Sequence, residues 1–547
     1  MAVTPIKTPF TNMSFTPDVP SSALSATEYN SGYNIETDVR SIKSVLGDSY
    51  TLSEITGNII FVTSGFRNND IFWFIIATEQ GHWYAMDQTG NITNITPTYG
   101  TFTGYNPSTV ITGSWNGSTV FLNDMINPPM YLTGTSTELG MFDHPDPETG
   151  DTYVWNYDVG YNSSGNITPL YSSLTSGFVR VWNSPNVGSL LIAGNLTGNI
   201  AANVVYPPPG TIQSLPTTVR WSQNFGLNSG PQTWAPTLTN IANEVEIPVR
   251  GPVIDGFALN GNFYCFSYWD CVQFSPIAYT STSAPVFGIL LVTQGRGMIN
   301  ENCWAVVDNN AFGVDARDIW SFNGGVFTPI GDQKIKNYFY SNLNSTYIDQ
   351  VFMINNTAKY QIEIYYPDLN STGTCNQMIS YRYDLSIWNP PRQVTQATQA
   401  CEAPRFNSNI ANLATRGVIY SSYAGNVPLV QKDYGTSFLG NTISSMFQRN
   451  NISFGQDYSA SIQVHRVYPE IYGTGNIDVT VGGADSVAST PKYETTQTMP
   501  ITTNNPWVQI NQNEARITSI QVSANTTTNS WQMTAANWQI TKVQDTR

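Results

Sequence analysis

The side chains that could do chemistry in this sequence are few, and most of them are carboxylates. Asp143-His144-Pro145-Asp146-Pro147-Glu148-Thr149-Gly150-Asp151 is the densest acidic run, and its oxygen ligands could hold a hard cation such as calcium. It lacks the spacing of an EF-hand loop and two prolines stiffen it, so a solvated acidic turn is expected. Glycoside hydrolysis needs two opposed carboxylates on one scaffold, and Asp255, Asp270, Asp308, Asp315 and Asp318 all fall near expected strand ends. With 38 acidic residues in the chain, such candidates arise by chance, and the Asp-box pattern of sialidase blades is absent. Only three histidines occur, His82, His144 and His465, none of them in a nucleophile elbow, a zinc-binding helix or a phosphate-cradling loop. Gln294-Gly295-Arg296-Gly297 resembles part of such a loop but lacks the Lys-Ser/Thr that would follow. No catalytic, cofactor-binding or metal-ligating residue is assigned, and the chain is read as a non-enzyme with no cofactor.

Five cysteines, Cys265, Cys271, Cys303, Cys375 and Cys401, form an odd set without CxxC spacing. Buried free thiols are expected rather than a disulfide framework or a zinc site. Asn-x-Ser/Thr sequons, as at Asn91, Asn116 and Asn370, are what a chain this rich in Asn, Ser and Thr produces by composition. The net charge of −15 and the lack of basic clusters argue against a protein that grips phosphate backbones. No secretory signal is read in residues 1–20. The runs Ile71 to Ala77 and Val286 to Val292 are too short to span a bilayer and read as buried strands, so no membrane insertion is expected.

The elements that must position these residues are strands. Charged residues are only 11% of the chain, and Asn, Ser, Thr and Gly take the surface positions instead, a mix that favours pleated strands and tight turns. A phrase recurs in altered form: Trp83-Tyr84-Ala85-Met86-Asp87-Gln88-Thr89-Gly90-Asn91-Ile92-Thr93, and Ile319-Trp320-Ser321-Phe322-Asn323-Gly324-Gly325-Val326-Phe327-Thr328. Each predicts a strand ending in aromatics, a turn needing positive φ, and an antiparallel return. Recurring hairpins of this kind suggest propeller blades. Residues 57–77 predict apolar strands separated by Ser64-Gly65 and Asn68-Asn69-Asp70.

The expected fold class is all-β, a β-propeller with inserted loops and a C-terminal β-sandwich-like unit. Residues 1–30, rich in Pro, Ser and Thr, are expected to form an N-terminal arm that clasps a neighbouring subunit. Residues 31–462 would be the propeller, with an insertion at about 134–176, and 463–547 the C-terminal all-β unit. Ile335, Phe339 and Leu343 recur at helical spacing, which predicts one short helix with Asp332 as its N-cap.

Several phrases, taken in order, carry a resemblance. They are Val219-Arg220-Trp221-Ser222 followed by Thr233-Trp234-Ala235-Pro236; Val314-Asp315-Ala316-Arg317-Asp318-Ile319-Trp320-Ser321-Phe322-Asn323-Gly324-Gly325, running to Ile335-Lys336-Asn337-Tyr338-Phe339; Ile364-Tyr365-Tyr366-Pro367 with Tyr381-Arg382-Tyr383-Asp384 and Trp388; Val467-Tyr468-Pro469-Glu470-Ile471; and Ala515-Arg516-Ile517-Thr518-Ser519-Ile520 closed by Trp531. The ordered set resembles the tail nozzle proteins of short-tailed bacteriophages, also called tail tubular or head-completion stabilisation proteins. The resemblance implies a structural virion protein of the viral tail, made in the bacterial host cytoplasm. It implies a homohexamer beneath the portal and adaptor, with tail fibres or a needle as further partners and genomic DNA passing through the lumen without specific binding. The alternative is a carbohydrate-contacting tail spike or sugar-active propeller.

Overall fold

The computed structural model describes residues 4–50, 55–67, 71–277, 287–407, 410–424, 429–454, 460–486, 489–501, 507–526 and 530–543. The turn expected at Asn68-Asn69-Asp70 lies outside them. The described residues are 56% strand and 4% helix, which makes the fold all-β.

Six antiparallel sheets follow one another along the chain, each built on a small four-strand unit, which the last extends to seven strands. The first is Ile59–Arg67, Ile71–Thr78, Trp83–Asp87 and Ile92–Asn94; the second is Thr112–Asn116, Thr119–Asn123, Met130–Leu132 and Gly140–Met141. The third is Tyr171–Ser184, Gly188–Ile200, Ile212–Trp221 and Asn243–Glu246, and the fourth is Asp255–Leu259, Asn262–Phe266, Asp270–Pro276 and Phe287–Gln294. The fifth is Trp304–Val307, Asn310–Val314, Ile319–Phe322 and Phe327–Pro329. The sixth starts in the same way, with Phe352–Asn356, Gln361–Tyr366, Cys375–Arg382 and Ile387–Asn407. It is widened by Ile410–Ser422, Val430–Gln431 and, from the front of the chain, Ser49–Tyr50.

A sheet of four strands cannot bury both faces alone, and each of these packs on the next. Phe61 and Trp83 of the first meet Val120 and Leu122 of the second; Phe121 and Tyr131 meet Leu174 and Leu191 of the third. Trp182 and Ile192 pack with Phe263 and Val272 of the fourth, whose Phe266 stacks on Trp320 of the fifth with ring centroids 5.6 Å apart. Phe312 of the fifth lies against Tyr381 of the sixth. The sixth in turn packs Cys401, Ala403 and Phe406 on Ile59, Val62 and Phe74 of the first.

The two recurring phrases occupy the same place in two sheets, the hairpin from third to fourth strand. Gly90 and Gly324 take the positive φ, at 86° and 95°. In each turn a side-chain oxygen collects backbone amides, Asp87 from Thr89 and Asn91, and Asn323 from Gly325 and Val326. Gly65 differs from expectation, because Ile59–Arg67 runs through it as one strand. A Cβ there would come within 2.6 Å of the Trp115 ring, so the glycine is clearance between sheets rather than a turn.

Two six-stranded sheets draw on both ends of the chain. One is Val508–Ala515, Ser461–Gly473, Trp531–Val543, Ser41–Ser44 and Ile35–Asp38, with Thr4–Pro9 also paired to Trp531–Val543. The other is Lys492–Tyr493, Asn476–Ala484, Ile517–Thr526, Ile443–Ile452 and Ser31–Tyr33, with Gln497–Pro500 beside Asn476–Ala484. Val467, Trp538 and Ile540 of one and Val479, Phe447 and Val522 of the other belong to a single buried cluster. Trp531 Nε1 of the first donates to Ser445 Oγ of the second at 2.9 Å.

These sheets revise the expected boundaries. The described part of residues 1–30 is not a free arm: Thr4–Pro9 pairs Thr4↔Ile540 through Pro9↔Ala535 within the same chain, and Phe10, Met13, Phe15 and Tyr29 are core. Pro5 and Pro9 fit because an outer strand need not donate on its open side. The large sheets also take residues 31–44 and 443–452, so they combine both ends of the chain rather than beginning at 463. The break expected at 134–176 is narrower, since Gly140–Met141 closes the second sheet and Tyr171 opens the third. Between them lies a loop and one hairpin, Val159–Tyr161 with Ile167–Pro169.

The expected helix is present as Lys336–Asn342, with Ile335, Phe339 and Leu343 buried. Its cap is not Asp332, which instead pairs with Lys336 at 3.7 Å. The carboxylate of Asp18 accepts the amides of Asn337 at 2.6 Å and Tyr338 at 2.9 Å. A cap from the N-terminal segment thus ties that segment to the fifth sheet's exit.

Candidate functional site

An arginine in the middle of an apolar strand, Phe178-Val179-Arg180-Val181-Trp182, must find a partner or leave a buried charge bare. Arg180 reaches Asp255, the first residue of the fourth sheet, with Nε at 2.9 Å and Nη2 at 2.5 Å. Its Nη1 donates to the Gly113 carbonyl of the second sheet and its Nη2 to Asn302 Oδ1 at the entry to the fifth. Asp255 also accepts from the amides of Gly256 and Asn302 and from Trp304 Nε1. The guanidinium lies 5.1 Å from the centre of the Trp304 ring. Four sheets are joined at this hub, each through its first strand or the residues leading into it.

Beside the hub is a small recess of about 30 Å³ whose walls include Phe61, Ile111, Glu301, Asn302, Asp349 and Gln399. Glu301 is pushed up to about 8 by burial, with the charges of Asp255 and Asp349 adding to the effect. Its carboxyl is therefore protonated at neutral pH and ionises just above it.

A second buried ionic network lies where the sixth sheet meets the segment 34–50. Arg392 forks between Asp48 and Asp433, Lys432 pairs with Glu363 at 2.9 Å and Asp433 at 2.7 Å, and Lys359 joins Glu36 and Asp433. Burial works to raise Asp433, but Arg392, Lys359 and Lys432 outweigh it and hold the carboxyl well below the usual range. For Glu36 the burial penalty is likewise overcome, chiefly by Lys359. At Asp48 burial wins, and the carboxyl is raised despite Arg392.

The residues singled out from sequence are scattered, and most hold backbone. Asp143 accepts from the amides of Trp155 and Asn156, and Asp146 from Tyr131 Oη and the amides of Glu148 and Thr149. Burial raises Asp143; at Asp146 burial is outweighed by these hydrogen bonds and the carboxyl is lowered. Among the described residues no group of three or more His, Cys, Asp or Glu is placed to hold a metal ion. Asp270 pairs with Arg250 and Asp315 with Arg296, while Asp318 accepts the amide of Ile319. Asp308 sits exposed in a hairpin turn at φ 50°. Gln294 ends a strand, and the Gly295–Gly297 stretch carries the chain to the fifth sheet, with Arg296 serving Asp315. His82 lies beside Tyr84, His144 stacks on Tyr99, and His465 meets Thr541 Oγ1 at 2.8 Å. All five cysteines are buried and free, and burial pushes the Cys303 and Cys401 thiols up to about 12.

Reading the sequence for familiar chemistry missed Arg180, Glu301, Glu363, Arg392, Lys432 and Asp433. The signal was available for some of them. In a chain with 11% charged residues, an Arg or Lys inside an apolar stretch, as in Phe178-Val179-Arg180-Val181-Trp182, marks a buried partner. Comparison with protein-family models and with curated proteins finds no match.

Proposed function

We infer that the chain is a structural subunit of a short-tailed phage tail nozzle, in which the six small sheets are the blades of a propeller and the two large sheets a sandwich-like unit beside it. The observation that carries the propeller is cyclic packing: each small sheet buries residues against the next, and the sixth against the first. The recurring phrases at equivalent hairpins agree with radial repetition. The nozzle assignment rests on the ordered phrases, whose tryptophans at 234, 320, 388 and 531 are all core residues. In this reading six copies form a ring that extends the portal-adaptor channel for DNA retention and ejection, and subunit geometry rather than a catalytic centre does the work.

Negative-stain imaging of the purified protein and of its parent particle tests this. A ring or tube on a tail axis is the expected result, and its absence from the tail overturns the reading. The chain's net charge of −15 further predicts no appreciable duplex-DNA affinity by filter binding at about 0.15 M salt, since held phosphates would slow passage. The carbohydrate-contacting reading draws on one feature, the adjacent exposed rings of Tyr268 and Trp269, with centroids 6.0 Å apart. Binding or cleavage of host glycans by the purified protein would favour it instead.

A further inference from the structure

Between Asp158 and Glu244 the only charged side chains are Arg180 and Arg220. Both are buried, Arg180 against Asp255 and Arg220 against Asp158 and Glu244. The surface presented by residues 159–243 therefore carries no formal charge, on a chain whose net charge is −15. One end of that surface is also apolar. The hairpin Val159–Tyr161 with Ile167–Pro169 turns Gly160 and Thr168 inward, and Gly160 sits against Val204 and Leu170. Val159, Tyr161 and Ile167 face outward. The turn 201–211 is stitched beside the hairpin: the amide of Val205 donates to the Tyr161 carbonyl at 2.9 Å, and Asn203 Nδ2 to Thr168 Oγ1 at 2.6 Å. Val205 and Tyr206 project from this turn and Ile212 opens the strand that leaves it. These six large apolar side chains are 57 to 82% exposed.

Apolar side chains gathered on one exposed face mark an interaction site. We propose that this patch is the surface through which a second copy of the chain docks. Copies at −15 repel wherever charged surface meets charged surface, so close contact between them is favoured where formal charge is missing. A cationic partner would be met by carboxylates, and this face has none. The proposal rests on the ring-forming reading for the number of copies and adds to it the face by which they meet. In a ring the patch would contact a different face of the next copy; in a two-fold dimer it would contact itself.

Sedimentation velocity of the full chain from about 1 to 100 μM, together with cross-linking and mass spectrometry, tests it. The wild type is expected to associate, with cross-links between copies at 159–169 and 203–212. Ile167→Glu combined with Ile212→Glu puts charge into the patch and is expected to weaken association at least about 30-fold while leaving the melting curve unchanged. Leu238→Glu, also exposed and in the charge-free stretch but beyond the far end of the strand Ile212–Trp221, is expected to leave association as it was. A wild type that stays monomeric throughout overturns the proposal. So does association that the double variant does not change; cross-links elsewhere would then leave the ring reading standing. Glycan binding abolished by the double variant, without self-association, would assign the patch to a sugar and overturn the proposal as well.

Discussion

The six small sheets and the two large ones are built from the same kind of strand, yet they are held together differently. In the small sheets each strand pairs mainly with its neighbour in sequence, and the sheets are then joined by aromatic contacts and by the Arg180–Asp255 hub. In the large sheets Thr4–Pro9 pairs with residues 535–540 and Ser31–Tyr33 with 446–448, so the two ends of the chain must meet before either sheet is complete. Local pairing costs little loop entropy, whereas joining the termini costs more and must be repaid by a large apolar core. At the junction of residues 34–50 with the sixth small sheet sits the second ionic network, in which three cations and four carboxylates are interleaved. The hub has one cation, and its anion keeps other donors. The comparison teaches that local meanders need only a few polar ties between sheets, while the closing of distant segments is secured by a dense buried network and an apolar core together.

The largest break in this comparison should come from deleting residues 1–30. That removes Phe10, Met13, Phe15 and Tyr29 from the core, each worth about 1.5–3 kcal/mol. The large sheets are expected to lose protection in hydrogen exchange while the small sheets keep theirs. Uniform loss across both regions would show them to be one cooperative unit.

Lys432→Met should be the most costly single change, at about 3–5 kcal/mol in denaturant unfolding, because it takes a paired cation from two buried carboxylates at once, Asp433 and Glu363, and leaves Glu363 with only the neutral donors Asn356 and Tyr365. Adding Glu363→Gln to it is expected to restore part of that loss. Arg180→Met at the hub should cost less, about 2–3 kcal/mol, because Asp255 keeps the amides of Gly256 and Asn302 and the indole of Trp304. Equal costs at the two sites would remove the distinction drawn between them.

The pH dependence sharpens the same contrast. Glu301 has a folded pKa raised to about 8, so the folded chain holds a proton that the unfolded chain releases, and its contribution falls as pH rises from the ordinary glutamate range to about 8. Glu301→Gln should therefore raise the melting temperature at pH 9 and leave it nearly unchanged at pH 4. Asp433 and Glu36 are depressed and act in the opposite sense, losing their stabilisation as pH falls through their folded values. Acid is thus expected to loosen the junction before the hub, which pH-resolved hydrogen exchange can follow. The smallest effect is expected from Asp18→Ala, which removes the helix cap and should cost about 1 kcal/mol by thermal melting.

What the sequence determined by itself was local. Alternating apolar residues and turn glycines were enough for the all-β class and the hairpins at Gly90 and Gly324, and the spacing of Ile335, Phe339 and Leu343 was enough for the helix. Each of these depends on interactions within a few residues, where φ preference and side-chain period decide the outcome. Tertiary structure alone decided that Asp18 rather than Asp332 caps that helix, that Gly65 is clearance for Trp115, and that residues 4–44 complete sheets begun at 443. It also decided which charged residues meet at the hub and at the junction. The physical reason is distance along the chain: partners tens to hundreds of residues apart leave no periodic trace, and their pairing is settled only when sheets pack and exclude water from the charges between them.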